Sequence, residues 1–387
     1  MTKADNAPEI LFYTRIRKSP YFYASRRHGV KAYSVYNHMY HPRYYDDPVK
    51  EYWKLLNDVT LWDVGVERQV EITGPDAFTF TNMLTPRDLT NCRVGQCMYV
   101  LITAEDGGII NDPVLLRLGE NHFWLSVADS DVLLWTKGLA YNSGLTVNIQ
   151  EPGVGPVQIQ GPKSKQVMQE LFGDRVLDLS YYFMFEAKLD DMDVIVSRTG
   201  YTGEVGYEIY LRNASRDAVK LWDRVLETGR PYDIAVIGPS HIRRIEGGIL
   251  AYGADMTLEN TPFEIGLGWM VKDQEADFIG KEALKRIQAE GVKQKLVGVE
   301  IHGDPLGAYT DGSMEDFWPV FRDGTNIGRV TSACYSPRLE KNIGYAMVSI
   351  EHTDLGTALT VETPAGETTA TVVKKPFIDP KKQIPKS

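Results

Sequence analysis

Apolar side chains at Val49, Tyr52, Trp53 and Leu56 recur at the three-and-four spacing of one helix face, which predicts a helix from Asp47 to Leu56. The pattern then changes period. Val59 to Val64 is a short β-branched and aromatic run, and Val70-Glu-Ile72 alternates, so both read as strands. Gly74-Pro75-Asp76 opens a second helix, with Ala77 to Met83 supplying its apolar face and Pro75 suited to its first turn. Gln96 to Thr103 reads as one strand, and Glu105-Asp-Gly-Gly108 as a hairpin turn into Ile109 and Ile110. Val114 to Leu118 and His122 to Val127 follow as strands, Asp131 to Leu139 as a helix, and Leu145 to Ile149 as a strand. Val157 to Gln160 then runs into Gly161-Pro162 and a helix with Val167, Met168 and Leu171 on its inner face. The recurrence of strand-Gly-Pro-helix points to two similar α/β lobes.

Asp178 to Phe185 clusters Tyr181, Tyr182, Phe183 and Phe185 in what reads as an aromatic strand. Met192 to Ser197 and Tyr207 to Leu211 are strands, and Ser215 to Glu227 is an amphipathic helix. From Gln294 onward short strands separated by Gly and Asp turns dominate, as in a small antiparallel barrel or sandwich. The Pro/Lys-rich end, residues 375–387, reads as a loosely held tail. The chain is therefore expected to be α+β, with residues 1–290 forming two lobes and an N-terminal arm, and 291–387 a β-barrel domain.

Composition narrows the function. The 387 residues carry a net charge of −10, which argues against nucleic acid or an anionic membrane as the main partner. No apolar run approaches a membrane span. Cys92, Cys97 and Cys334 show no metal-type or disulfide pairing, and the expected compartment is the cytoplasm. The first 60 residues are aromatic and basic. His38 and His41 lie there without the further ligands a metal needs, so no metal is expected. The arm either packs over the main body or lines a small-molecule pocket with tyrosines and one histidine.

The chemistry concentrates in Arg198-Thr-Gly-Tyr-Thr-Gly-Glu-Val-Gly-Tyr-Glu-Ile-Tyr210. Gly200, Gly203 and Gly206 permit tight turns and close approach of backbone. No helix N-terminus follows, which excludes a phosphate loop. Glu204 and Glu208 are then either surface carboxylates on a solvated hairpin or ligand contacts. Asp112 sits among apolar strand residues, where a carboxylate is costly to bury unless paired. Tyr181, Tyr182 and Tyr210 are either core or an aromatic cage for a cationic substrate, worth about 0.5–2 kcal/mol per ring face.

Several stretches together resemble the glycine-cleavage T-protein family of folate-dependent methyl and aminomethyl transferases. They are the W-D-V…V-E-I-x-G-P-D-A run, Gly107-Gly-Ile-Ile-Asn-Asp112, the Gly200-Tyr-Thr-Gly-Glu…Glu208 stretch, Arg244-Ile-Glu-Gly-Gly248, and Asp255 to Trp269. Val330-Thr-Ser…Ser336-Pro…Asn342-Ile-Gly-Tyr345 adds a match in the C-terminal region. The resemblance covers about residues 45–375 and implies three lobes around a central channel with tetrahydrofolate as cofactor. It implies that Glu208 holds the pteridine ring, since a carboxylate can accept two parallel hydrogen bonds. By the same pattern Asp112 faces the carbon-transfer atom, Arg244 carries a folate contact, and Tyr99 and Asn111 lie on the cofactor side. Glu246 is expected to pair with a base. The Tyr33 to Met39 segment and Asn111-Asp112 resemble the branch that demethylates onium donors such as dimethylsulfoniopropionate, with His38 on the substrate side. The expected activity is transfer of a methyl group from a small onium donor to N5 of tetrahydrofolate. The glycine-cleavage aminomethyltransferase reaction, favoured by the Thr-Gly-Glu form, is the alternative, and a non-catalytic folate-binding relative is a third. A homodimer is an open expectation.

Overall fold

The computed structural model describes residues 12–307 and 316–387. Three lobes surround a shared interior. The first is an antiparallel sheet in the order Asn148–Gln150, Gln69–Thr73, His122–Ser126, Val114–Gly119 and Cys97–Tyr99. Helices Ala77–Met83 and Val132–Asn142 pack against it over a core that includes Ile72, Phe80, Leu115 and Phe123. The second sheet runs Met184–Leu189, Met192–Ser197, Gly206–Arg212, Val154–Gln160, Thr60–Asp63 and Ala235–Val236. Its helices, Ser164–Phe172 and Ala214–Gly229, cover Val157, Ile209, Leu221 and Trp222.

The two sheets share a plan. Read from Cys97–Tyr99 and from Met184–Leu189, the strands follow in the same sequence, and the second sheet inserts Thr60–Asp63 before its last strand. In each lobe a strand ends at a glycine in left-handed conformation, Gly74 or Gly161, just before a helix. A Cβ on Gly74 would lie 2.6 Å from the Thr146 carbonyl oxygen, and one on Gly161 2.5 Å from that of Asp58. Only glycine permits that closeness. Cys97, Leu116 and Trp124 of the first lobe interdigitate with Met184, Ile195 and Tyr210 of the second.

The third lobe is a closed six-stranded barrel built from Gln294–Ile301, Lys341–Ser349, Thr325–Ser336, Trp318–Arg322, Ala358–Thr363 and Gly366–Val373. Closure removes the exposed sheet edges. Helix His241–Glu246 fastens the barrel to the rest. Its Glu246 carboxylate accepts from Tyr52 Oη (2.8 Å), Ser336 Oγ (2.6 Å) and Arg338 (2.8 Å), so the expected base partner is Arg338.

Three local expectations change. Gln96 to Thr103 is not one strand. Cys97–Tyr99 pairs with Val114–Gly119, whereas Ile102–Thr103 pairs with Ile109–Asn111, and the chain switches sheets between them. That switch leaves Asp112, between the two partner strands, free to turn inward. Tyr181 to Phe183 is a turn rather than a strand, because Tyr182 takes φ +64°. The C-terminal tail is docked, not loose. Arg198 donates to the carbonyls of Pro385 and Ser387, Lys382 to that of Gly247, and Phe377 stacks on Tyr345 at 6.2 Å.

The glycine-rich stretch wraps one side chain, Gln160. Its carboxamide donates to the carbonyls of Thr199 and Tyr207 at 3.2 Å and accepts from Thr202 Oγ at 2.6 Å. A Cβ at Gly206 would lie 2.3 Å from this locked carboxamide. Gly206→Ala is expected to destabilise the protein by about 1–3 kcal/mol through overpacking, read as a lowered Tm.

Candidate active site

Polar side chains from several elements converge between the lobes. Strand Gly206–Arg212 supplies Glu208, the turn after Ile109–Asn111 supplies Asp112, strand Cys97–Tyr99 supplies Tyr99, and the 181–183 turn supplies Tyr181 and Tyr182. The arm hairpin Ala32–Tyr36/Met39–Tyr44 adds Tyr36, and the segment after Thr60–Asp63 adds Glu67. Tyr201 of the glycine-rich stretch closes another side.

Glu208 is buried, with three donors on its carboxylate. Gln158 Nε2 donates to Oε1 at 2.7 Å, Tyr210 Oη to Oε2 at 2.9 Å, and Thr199 Oγ to Oε2. Desolvation still raises its pKa, and these hydrogen bonds only partly oppose the rise. The Gln158 carboxamide oxygen beside it is buried without a partner.

Asp112 accepts from Tyr99 Oη at 2.9 Å through Oδ2. Its Oδ1 is buried and has no partner. Burial pushes the carboxyl up to about 7; the Tyr99 hydrogen bond opposes this and the Asp255 charge adds to it. Tyr99 is raised too, first by burial and then by Asp112. A carboxyl poised near neutrality beside a buried open lone pair is a feature of functional sites.

Tyr181 and Tyr182 meet edge to face with centroids 4.7 Å apart. Tyr182 is held in its left-handed conformation by its backbone, which donates to the Arg198 carbonyl (3.0 Å) and accepts from Cys97 N (2.7 Å). A bulky residue in this region stores strain, which persists where surroundings enforce it.

Other expected residues serve the scaffold. Tyr210 is fully buried beside Trp124 and spends its hydroxyl on Glu208, so it orients that carboxylate instead of completing a cage. Asn111 is satisfied on all sides. Its amide donates to Ala128 O (3.0 Å) and Ser130 Oγ (2.8 Å) and accepts from Ala128 N (3.0 Å). Arg244 is committed to Asp255 (2.5 Å), Ser332 Oγ (2.6 Å) and the Ile249 carbonyl (3.3 Å), so its fork ties helix to barrel.

His38 is a correction. It lies exposed at the tip of the arm hairpin, 3.2 Å from an equally exposed Asp131. The tip residue that turns inward is Asn37, whose amide reaches the carbonyls of Val66 (3.1 Å) and Val127 (3.2 Å). This anchor seats Tyr36 by Glu67 and Asp112, whose charges add to the burial that raises its pKa. A two-residue turn with both residues at positive φ explains the swap, since it points neighbouring side chains to opposite sides.

Tyr36, Glu67, Tyr201 and Gln158, which sequence reasoning did not single out, lie beside these residues. Gln158 and Gln160 had a legible signal, being two carboxamides in an otherwise apolar strand. Glu67 had none, because it sits in an irregular turn.

The arrangement gathers acids and tyrosines from several elements around Asp112 and Glu208. The model of the GCVT N-terminal domain matches residues 22–275, and that of the glycine cleavage T-protein C-terminal barrel domain matches 294–379. The chain belongs to the glycine cleavage T-protein family. It is 37% identical to the dimethylsulfoniopropionate demethylase DmdA of Ruegeria pomeroyi, over 92% of this chain and 96% of the relative. It is 33% identical to the aminomethyltransferase of Bacillus subtilis, over 85% of this chain and 90% of the relative. The glycine cleavage system aminomethyltransferase T of Bartonella henselae has the same fold, with a TM-score of 0.83 at 24% identity, covering 94% of this chain and 98% of that one. No helix among the described residues is long and apolar enough to cross a membrane.

Proposed function

We propose that the protein is a tetrahydrofolate-dependent methyltransferase acting as a demethylase on a small onium donor such as dimethylsulfoniopropionate. The observation that carries this reading is the charge of the chamber. Glu67, Asp112 and Glu208 converge there with tyrosine faces, and none of the three belongs to an ion pair with a cation among the described residues. Such a chamber suits a ligand that brings its own positive charge.

The residues fit the folate ring. Glu208 and the unpartnered Gln158 oxygen offer adjacent buried acceptors to the donor-rich edge of a pteridine, and Asp112 Oδ1 offers another. Bound there, the cofactor supplies a nucleophilic ring nitrogen as methyl acceptor. The protein's own contribution is placement. Tyr99 and Asp112 fix one side of the reacting centre, Tyr181 and Tyr182 the other, and the three lobes exclude water. Alignment of two bound reactants is itself worth several kcal/mol, which suffices for an onium group that is already activated to leave.

The Thr-Gly-Glu form does not separate the two family activities. Thr202 holds Gln160 (2.6 Å), and Glu204 pairs with the buried Arg243 (2.7 Å), so both are scaffold. The higher identity to the demethylase over nearly the whole chain supports the methyl reading. Three buried free cysteines fit a reducing compartment such as the cytoplasm.

The test is a panel of donors. Sulfonium and ammonium methyl donors are expected to react, and neutral thioethers and methoxyaromatics not to. Tyr182→Leu is expected to raise KM for the sulfonium donor about two- to thirtyfold, equivalent to ~0.5–2 kcal/mol for one ring face. Its tetrahydrofolate affinity should stay unchanged. Neutral donors accepted equally well would overturn the reading.

A further inference from the structure

Resting on the onium-donor reading, we propose that Glu67 is the counter-ion of the donor's positive centre, and that the donor enters in exchange for a proton shared by Glu67 and Glu208. Glu67 is a specificity-determining residue in this account, distinct from the Asp112–Tyr99 pair and from the pteridine-holding role of Glu208.

The argument begins with what surrounds Glu67. Ser126 Oγ, from the end of strand His122–Ser126, donates to Oε2 at 3.3 Å, a long and weak bond. The Gln69 carboxamide, which could have reached the carboxylate, spends its NH2 on the Glu67 carbonyl (2.5 Å) and on Ser126 Oγ (3.1 Å). The neighbouring cation, Arg68, points away to Glu151. The groups whose charges act on or respond to Glu67 are Glu208 and Tyr210 from strand Gly206–Arg212, Asp112, Tyr36 from the arm, and Tyr201. Every one is acidic or neutral. Two cations whose charges reach residues of this interior are otherwise engaged: Arg244 is neutralised by Asp255, and Arg87 lies over Trp269 with its donor on the Tyr99 carbonyl.

Two carboxylates in a desolvated space cannot both stay ionised without compensation, and one of them keeps a proton. Burial raises Glu67 first, and the Glu208 charge raises it further. Glu208 has three good donors to support its negative charge, whereas Glu67 has one poor one. The proton therefore rests chiefly on Glu67 in the free enzyme. An onium group entering beside Glu67 supplies the missing positive charge. Glu67 then ionises, its proton leaves to solvent, and the new carboxylate charge is offset locally by the onium centre. A ligand of equal size that lacks the positive centre leaves the proton in place, so discrimination comes from both sides of the exchange.

The experiment is titration calorimetry of dimethylsulfoniopropionate into the folate-free protein near neutral pH, in buffers of different ionisation enthalpy. Without an acceptor no methyl transfer intervenes. The wild type is expected to release a substantial fraction of one proton per donor bound, seen as a buffer-dependent heat. Isocaproate, with carbon in place of the sulfonium sulfur, should release none. Glu67→Gln should abolish the release and weaken sulfonium binding about tenfold or more. Isocaproate and tetrahydrofolate affinities should stay within about threefold, which shows that the chamber is intact. Buffer-independent heat in the wild type, or sulfonium affinity unchanged in Glu67→Gln, would overturn the role of Glu67 while sparing the onium reading. Equal loss of all three ligands would reduce Glu67 to a packing residue. Failure of every onium compound to bind the wild type would sink both.

Discussion

Asp112→Asn is expected to lower kcat by about a hundredfold or more while the fold is kept. Asparagine retains the shape and can still accept from Tyr99 Oη, now at 2.9 Å from Asp112 Oδ2. What disappears is a charge that a protein group can place beside a reacting centre, an effect typically worth 10²–10⁴ in rate, or about 3–5 kcal/mol. The variant also has a distinctive stability signature. In the folded protein burial lifts the carboxyl from 3.8 to about 7. The native state thus holds its proton over a pH range where the unfolded chain has lost it. This contribution to stability is full below the unfolded pKa and is lost as pH rises through the folded one. A shift of this size corresponds to roughly 4 kcal/mol. Asparagine does not titrate, so the Tm of the variant relative to wild type should climb between about pH 4 and pH 7 and level off above that. A Tm difference independent of pH, or activity within about threefold of wild type, would remove Asp112 from the role given to it.

Substitution of Glu208 is expected to have the other large effect, and the choice of replacement separates binding from folding. Alanine would leave Gln158 Nε2, Thr199 Oγ and Tyr210 Oη without their acceptor in a buried place. Each stranded donor costs about 1–3 kcal/mol, so Glu208→Ala should lose several kcal/mol of stability and unfold at a much lower temperature. Glu208→Gln keeps the volume and one carbonyl acceptor. It should fold, with an unchanged circular dichroism spectrum, yet bind tetrahydrofolate at least about tenfold more weakly, or ~1.4 kcal/mol. An amide cannot accept the paired hydrogen bonds that a carboxylate can. A folded Glu208→Gln protein with wild-type folate affinity would show that Glu208 is only a hub for its three neighbours.

Much of the fold was legible because its signals are periodic. Met192–Ser197 is a β-branched run and pairs over its full length with Met184–Leu189, and the two Gly-Pro breaks mark equivalent corners of two sheets. The short strands after Gln294 close into a barrel, one of the two arrangements their turn spacing allowed. The breaks from expectation come from tertiary placement. Nothing local says that Cys97–Tyr99 and Ile102–Thr103 belong to different sheets, because each pairs with a partner chosen by the rest of the lobe. The tail looked loose by composition, yet Arg198 gathers its carbonyls.

The site shows the same division. Glu208 and Asp112 were singled out through motifs and Tyr181 and Tyr182 through an aromatic cluster, and the structure sets them near one another. Arg244 and Asn111 belong to equally marked motifs but hold elements together, since a buried fork or amide serves a scaffold as well as a ligand. Side-chain direction decided the arm. One hairpin tip sends His38 to solvent, turns its neighbour Asn37 inward and seats Tyr36 near Glu67 and Asp112. His41, in the same hairpin, is buried with both ring nitrogens unpartnered, and burial pulls its pKa down to about 3. It stays neutral at physiological pH and packs against Tyr36 at 5.6 Å.

The central claim is that an intact methyl group passes from an onium donor to tetrahydrofolate within this chamber. The direct measurement is a single turnover with a donor isotopically labelled in its methyl carbon, excess enzyme and tetrahydrofolate, followed by nuclear magnetic resonance. The account predicts that the label appears as the methyl of 5-methyltetrahydrofolate, one equivalent per demethylated donor. Label left on the donor, together with formation of methylenetetrahydrofolate from an aminomethylated lipoyl carrier, would contradict it.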